Sequence, residues 1–153
     1  MLKVKLYEEQ VKKDMSLELE SLEKAVGSLI RAVDYASEQI AVSHDSTQKE
    51  VLRAGVIQNF EFTYELCWKF MKRWLEFNVG STVVDGVPRR ELFRIAAESI
   101  LIEDVEKWMI FHEARNRTSH IYDPEISEEV YKIATSFVFD AKNLLKTLKS
   151  KNA

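Results

Sequence analysis

The sequence predicts an all-α protein, an antiparallel up-and-down four-helix bundle with one short extra helix. Three observations carry that expectation. Only four Gly and two Pro punctuate 153 residues, too few turn-formers for a succession of short strands. Apolar residues make up 46% of the chain, and most recur at three- and four-residue steps, the period of one helix face. A chain of this length buries roughly 70% of the surface its unfolded form exposes, enough for one core and not two. The helices are therefore read as one domain over residues 1–153, with residues 1–14 as an N-terminal extension.

Within that extension Leu2, Val4 and Leu6 alternate as in a short strand. From about Ser16 to about Val42, Leu17, Leu19, Leu22, Val26, Leu29, Ile30, Val33 and Ile40 line one face of a long first helix, which Ser43-His44-Asp45-Ser46 breaks. Thr47 and Glu50 stand as in a capping box, where hydroxyl and carboxylate each accept from a free amide at a helix start. The second helix they open carries Val51, Ile57, Phe60, Tyr64, Leu66, Cys67, Phe70, Met71, Trp74 and Leu75. That set is too wide for one stripe, which places the helix at the centre of the bundle. Gly55 inside it points to close packing or a bend.

Residues 78–88, with Gly80 and Gly86, form the longest connector, and Pro88 suits the first turn of a short third helix ending near Ser99. Val105, Trp108, Met109 and Phe111 keep helical spacing in a fourth helix, from about Asp104 to about His120, and Asp123-Pro124 stops it. The last helix runs to about Lys149 on Val130, Ile133, Phe137, Val138, Ala141, Leu144, Leu145 and Leu148. Lysines at its end complement the helix dipole.

The net charge of −3 exerts no global pull on nucleic acid or an anionic membrane, so any polyanion site must be local. No stretch approaches the ~18 consecutive apolar residues of a membrane span, and the N-terminus lacks a secretion leader, so a cytoplasmic protein is expected. Cys67 is the single cysteine, unable to form an internal disulfide, and is read as a small core residue.

The densest polar cluster is Arg115-Asn116-Arg117-Thr118-Ser119-His120-Ile121-Tyr122. On a continuous helix Arg115, Ser119 and Tyr122 fall on one side, with Asn116 and His120 stacked beside them. Such a set suits phosphodiester cleavage. An imidazole such as that of His120 can move the proton of a ribose 2′-hydroxyl or of the leaving oxygen, while Arg115 grips the phosphate. The alternative is an Arg and His stabilised at a helix end by the dipole alone. On the second helix Glu61, Glu65 and Lys69 either wall the same cleft or form a solvated face of four-apart pairs, the latter favoured. Arg89, Arg90 and Arg94 form a basic patch best read as a solvated turn. His112 and His120 are eight apart, where a helical zinc site needs four. No metal or cofactor is expected.

The string Arg115-x4-His120-x-Tyr122 resembles the signature of HEPN-domain ribonucleases, with the extra Tyr of toxins in HEPN/minimal-nucleotidyltransferase toxin-antitoxin modules, and Asn116 matches the polar position after the Arg. A second stretch, from Arg53 through Val56-Ile57-Gln58 and Phe60-Glu61-Phe62-Thr63-Tyr64-Glu65-Leu66-Cys67-Trp68-Lys69, resembles the second helix of the nucleotidyltransferase substrate-binding branch. Together they extend the likeness over roughly residues 15–148. The resemblance implies a four-helix bundle that forms a homodimer, with the Arg and His of both subunits along one shared cleft. It implies a separate minimal nucleotidyltransferase as partner and RNA or a nucleotide as ligand. It makes Arg115, Asn116 and His120 the catalytic set of a metal-independent endoribonuclease, and Tyr122 the residue that the partner adenylylates to silence the toxin. It equally allows a non-catalytic subunit that binds the nucleotidyltransferase's substrate or regulates it.

Overall fold

In the computed structural model the chain runs α1 (Leu2–Val42), α2 (Ser46–Leu75), a π-helical turn (Glu76–Gly80), α3 (Ser81–Val84), α4 (Arg89–Glu98), α5 (Val105–Asn116), a 3-10 turn (Thr118–His120) and α6 (Pro124–Asn152). Residues 1–152 are described, the side chains of 11–18 and 152 excepted.

Cross-helix bonds fix the helix directions. Ser28 donates to Asn59 Oδ1 at 2.7 Å and Thr63 donates to the Ala25 carbonyl at 3.3 Å, so α1 and α2 are antiparallel. Lys149 pairs with Glu23 at 2.9 Å, which sets α6 against α1. Lys107 meets Asp140 at 2.7 Å and Arg117 meets Glu129 at 2.9 Å, which sets α5 against α6. The result is an up-and-down bundle of α1, α2, α5 and α6, with α4 as the short extra helix. Every third or fourth residue of α1 from Leu19 to Ala36 is buried against it. Phe137 of α6 anchors the centre, its ring edge-on to Phe60 at 5.2 Å, Trp108 at 5.6 Å and Phe111 at 4.9 Å, the geometry aromatic quadrupoles favour. No helix among the described residues is long and apolar enough to cross a membrane.

Several local expectations change. Leu2, Val4 and Leu6 belong to the first helix rather than to a strand, and all three are exposed. So short an alternation specifies little, and a lone strand would leave its amides unpaired where helix formers such as Glu8-Glu9-Gln10 satisfy them internally. Leu17, an expected core position, lies among the side chains outside the described set. Asp45, not Thr47, caps α2, accepting from the Thr47 amide at 2.9 Å and the Gln48 amide at 3.4 Å. An ionised carboxylate outcompetes a hydroxyl there because it also answers the helix dipole. Gly55 marks no close packing, since a Cβ there would meet nothing within 4 Å. Val51, expected in the apolar set, is exposed.

The connector is helical up to Val84, and its chain reversals fall at Gly80 (φ +133°) and Gly86 (φ +69°), conformations only glycine adopts freely. At the end of α4 the same left-handed role goes to Ile100 (φ +61°). Its amide bonds the Ala97 carbonyl at 3.0 Å and the Leu101 amide bonds the Ala96 carbonyl at 2.9 Å, a Schellman closure that normally takes Gly. A β-branched residue there costs about 1–2 kcal/mol, tolerated because Leu101 and Ile102 are buried just behind it.

Candidate functional site

Because α5 runs antiparallel to α2, the α5 face bearing His112, Arg115 and Asn116 meets the α2 face bearing Glu61, Tyr64, Glu65 and Trp68, and α4 adds Arg89. Arg115, with 32% of its side chain exposed, lies in the groove between them. Its Nε is 3.3 Å from Glu65 Oε1, near enough for ion pairing but not aimed for a hydrogen bond, and its Nη1 is 3.9 Å from Glu61 Oε2. Nη1 also donates to Thr118 Oγ1 at 3.1 Å. The buried Thr118 hydroxyl in turn donates to the Arg115 carbonyl at 2.8 Å.

That last bond ends α5 early. Side-chain competition for helical carbonyls, together with an Arg117 amide shared between the Glu113 and Ala114 carbonyls, tightens the chain into a 3-10 turn. The fourth helix therefore stops at Asn116, four residues short of expectation. A continuous helical face joining Arg115, Ser119 and Tyr122 does not exist. Ser119 and His120 are exposed on the 3-10 turn, Tyr122 is 78% exposed beyond it, and the His120 and Tyr122 rings lie 6.1 Å apart. Among the described residues no hydrogen bond or ion pair joins the His120 ring to Arg115 or Asn116.

The favoured solvated reading of Glu61 and Glu65 gives way, since both carboxylates face Arg115 and are about two-thirds buried. Glu65 Oε2 also accepts from Trp68 Nε1 at 3.0 Å. Lys69 stays exposed on the flank, 5.8 Å from the Trp68 ring, and does not join them. Arg89 is likewise no solvated turn residue. Its guanidinium stacks 3.4 Å above the Trp68 ring, and its Nε is buried without a hydrogen-bond partner. Burial pushes its pKa down, with Tyr64 and Glu65 acting in the opposite sense. Arg90 and Arg94 fit the solvated reading, paired on the surface with Glu106 and with Glu91 and Glu98 respectively.

Sequence reasoning passed over His112 except as a failed zinc ligand. In the structure Tyr64 Oη lies 2.8 Å from His112 Nδ1, and Asn116 Nδ2 lies 3.5 Å from His112 Nε2. Burial first, and then the Arg89 guanidinium, lower the His112 pKa from its usual 6.5, while Glu113 and Glu65 oppose the shift. Burial raises that of Tyr64 well above the usual phenol range. Both are neutral at pH 7. The legible signal was the four-residue spacing of His112 and Asn116, which stacks two polar side chains on one helix face.

Among the described residues no group of three or more His, Cys, Asp and Glu side chains is gathered as metal ligands. A cavity of about 610 Å³ lies between the α4–α5 connector, the first turn of α5 and the C-terminal half of α6 and touches none of these site residues.

The arrangement can hold an anion at Arg115 and move a proton at His120. Three comparisons bear on it. The family described as nucleotidyltransferase substrate binding protein like matches residues 17–150. A relative from Haemophilus influenzae named probable ribonuclease HepT is 36% identical over 108 residues, covering 70% of this chain and 74% of its own length. A solved Haemophilus influenzae structure, described as revealing the fold of a substrate binding domain of a nucleotidyltransferase, matches with a TM-score of 0.80 at 34% identity. That match covers 86% of this chain and 98% of the other.

Proposed function

The chain belongs to the nucleotidyltransferase substrate binding protein like family, and from that membership we propose that it is the HEPN subunit of a two-component module. It acts as a single-domain, cytoplasmic homodimer, a metal-independent endoribonuclease toxin, beside a separate minimal nucleotidyltransferase. One observation carries the reading. An anchored Arg115 sits in the last turn of α5, just before a 3-10 turn that presents an exposed His120.

In this mechanism Arg115 binds a non-bridging phosphate oxygen, and the Asn116 amide donates to a second. His120 of one subunit takes the proton of the ribose 2′-hydroxyl as that oxygen attacks phosphorus. The bond from phosphorus to the 5′-oxygen breaks, and His120 of the second subunit protonates the leaving oxygen, giving a 2′,3′-cyclic phosphate and a 5′-hydroxyl. Each proton and the growing charge have a residue to carry them, so the step runs without a metal. The substrate phosphate competes with Glu65 and Glu61 for Arg115, which keeps affinity for RNA modest and salt-dependent.

The exposure of Tyr122 supports its role as adenylate acceptor, its phenol oxygen attacking the α-phosphorus of ATP on the partner while pyrophosphate leaves. The description of the solved relative favours a second reading, a non-catalytic subunit that binds the nucleotidyltransferase's substrate or regulates it. RNA incubated with the purified chain and with His120→Ala separates the two. Cleavage by the wild type alone supports the ribonuclease, and no cleavage by either favours the binding subunit. Intact mass after incubation with the partner, ATP and magnesium tests Tyr122, where a gain that Tyr122→Phe abolishes is expected.

A further inference from the structure

The mechanism leaves one pair of titratable groups unused, the hydrogen-bonded Tyr64 and His112 beneath Asn116. Tyr64 is only 1% exposed, and His112 is the side-chain partner its hydroxyl has among the described residues. A buried hydroxyl that fails to donate costs about 1–3 kcal/mol, so the Tyr64 proton points at His112 Nδ1. In a neutral imidazole the remaining proton then sits on Nε2, and burial beside Arg89 keeps that imidazole neutral. Nε2 faces the Asn116 amide at 3.5 Å. An N–H cannot bond an NH2 group, whereas a half-turn of the amide presents its oxygen instead. That half-turn sends the Asn116 NH2 group away from His112.

We propose that His112 is a positioning residue: held by Tyr64 in its Nε2–H tautomer, it locks the Asn116 amide with its NH2 group turned away from His112, as a donor to the substrate phosphate. The role in turnover rests on the ribonuclease reading above; the tautomer does not. The chain of bonds runs from Tyr64 on α2 through His112 to Asn116 on the last turn of α5. It couples the core to the residue beside Arg115.

Two measurements on the full chain test this. Long-range proton–nitrogen correlation spectra should show His112 as the Nε2–H tautomer, shifting toward an Nδ1–H mixture in Tyr64→Phe; an Nδ1–H wild type overturns the proposal whether or not RNA is cut. In RNA cleavage, His112→Leu should lower kcat about tenfold, the worth of one hydrogen bond, with KM little changed and a melting temperature lowered by the Tyr64 hydroxyl left unpaired. His112→Gln, whose amide can replace the Nε2 donor, should recover most of the loss. Equal kcat in all three forms of a chain that does cleave RNA also overturns it. A wild type that cleaves no RNA counts against the ribonuclease reading instead, and the tautomer spectra still decide the positioning.

Discussion

Arg115 reaches from α5 onto α2, where Glu65 and Glu61 hold its guanidinium while Thr118 of the following turn accepts from it, whereas His120, five residues on, projects from a 3-10 turn with its ring 6.1 Å from that of the exposed Tyr122. Both belong to one eight-residue segment, yet folding fixes the first and leaves the second to whatever binds. A preorganised cation costs no reorganisation when charge develops on a substrate, but its removal also strands the carboxylates packed around it. An exposed imidazole carries no such structural debt. Function and stability should therefore separate at His120 and move together at Arg115.

The largest expected effect is at His120. His120→Ala should lower RNA cleavage by about 10²–10⁴-fold, the range for a lost general acid or base, with an unchanged melting temperature. A clear fall in melting temperature would break the contrast. Arg115→Ala should reduce cleavage and also cost about 1 kcal/mol, because Glu61 and Glu65 keep their partial burial without a countercharge. At this chain length that is a fall of about 2–4 °C in Tm.

A smaller effect comes from pH. His112 has a depressed pKa, so below its usual 6.5 the unfolded chain binds the proton more readily than the folded one. The stability it confers is complete above pH 6.5 and falls as pH drops from there toward the depressed folded value. Arg89 on α4 adds to the depression, and Glu65 on α2 and Glu113 on α5 oppose it. Chemical denaturation at pH 7.0 and 5.5 should show this loss in the wild type and less of it in His112→Gln. Smallest of all, Ser119→Ala should leave both cleavage and melting nearly unchanged, as expected of an exposed side chain on a turn.

The bundle was legible because the apolar steps of α1, α2, α5 and α6 are long and regular, and Phe137, Phe60 and Trp108 could be named as core from spacing alone. Helix ends were less so. Asp45 against Thr47 is a contest between neighbouring acceptors, and the early stop of α5 turns on a Thr118 hydroxyl whose alternative, a continued helix, reads equally well in sequence. Ile100 in a left-handed conformation had no Gly or Asn to announce it. At the site, the Arg115, His120 and Tyr122 pattern was visible as a string. The packing of Glu65 and Glu61 onto Arg115, of Arg89 onto Trp68 and of Tyr64 onto His112 joins residues 21 to 54 positions apart. No local rule reports such distances; only the antiparallel register of α2 and α5 and the return of α4 create them.

The most direct test of the account is expression of this chain without any nucleotidyltransferase, compared with its His120→Ala form made to the same level, with growth and total RNA followed in each. The account predicts arrest and RNA loss with the intact histidine and neither with the alanine; healthy growth and intact RNA in both would contradict it.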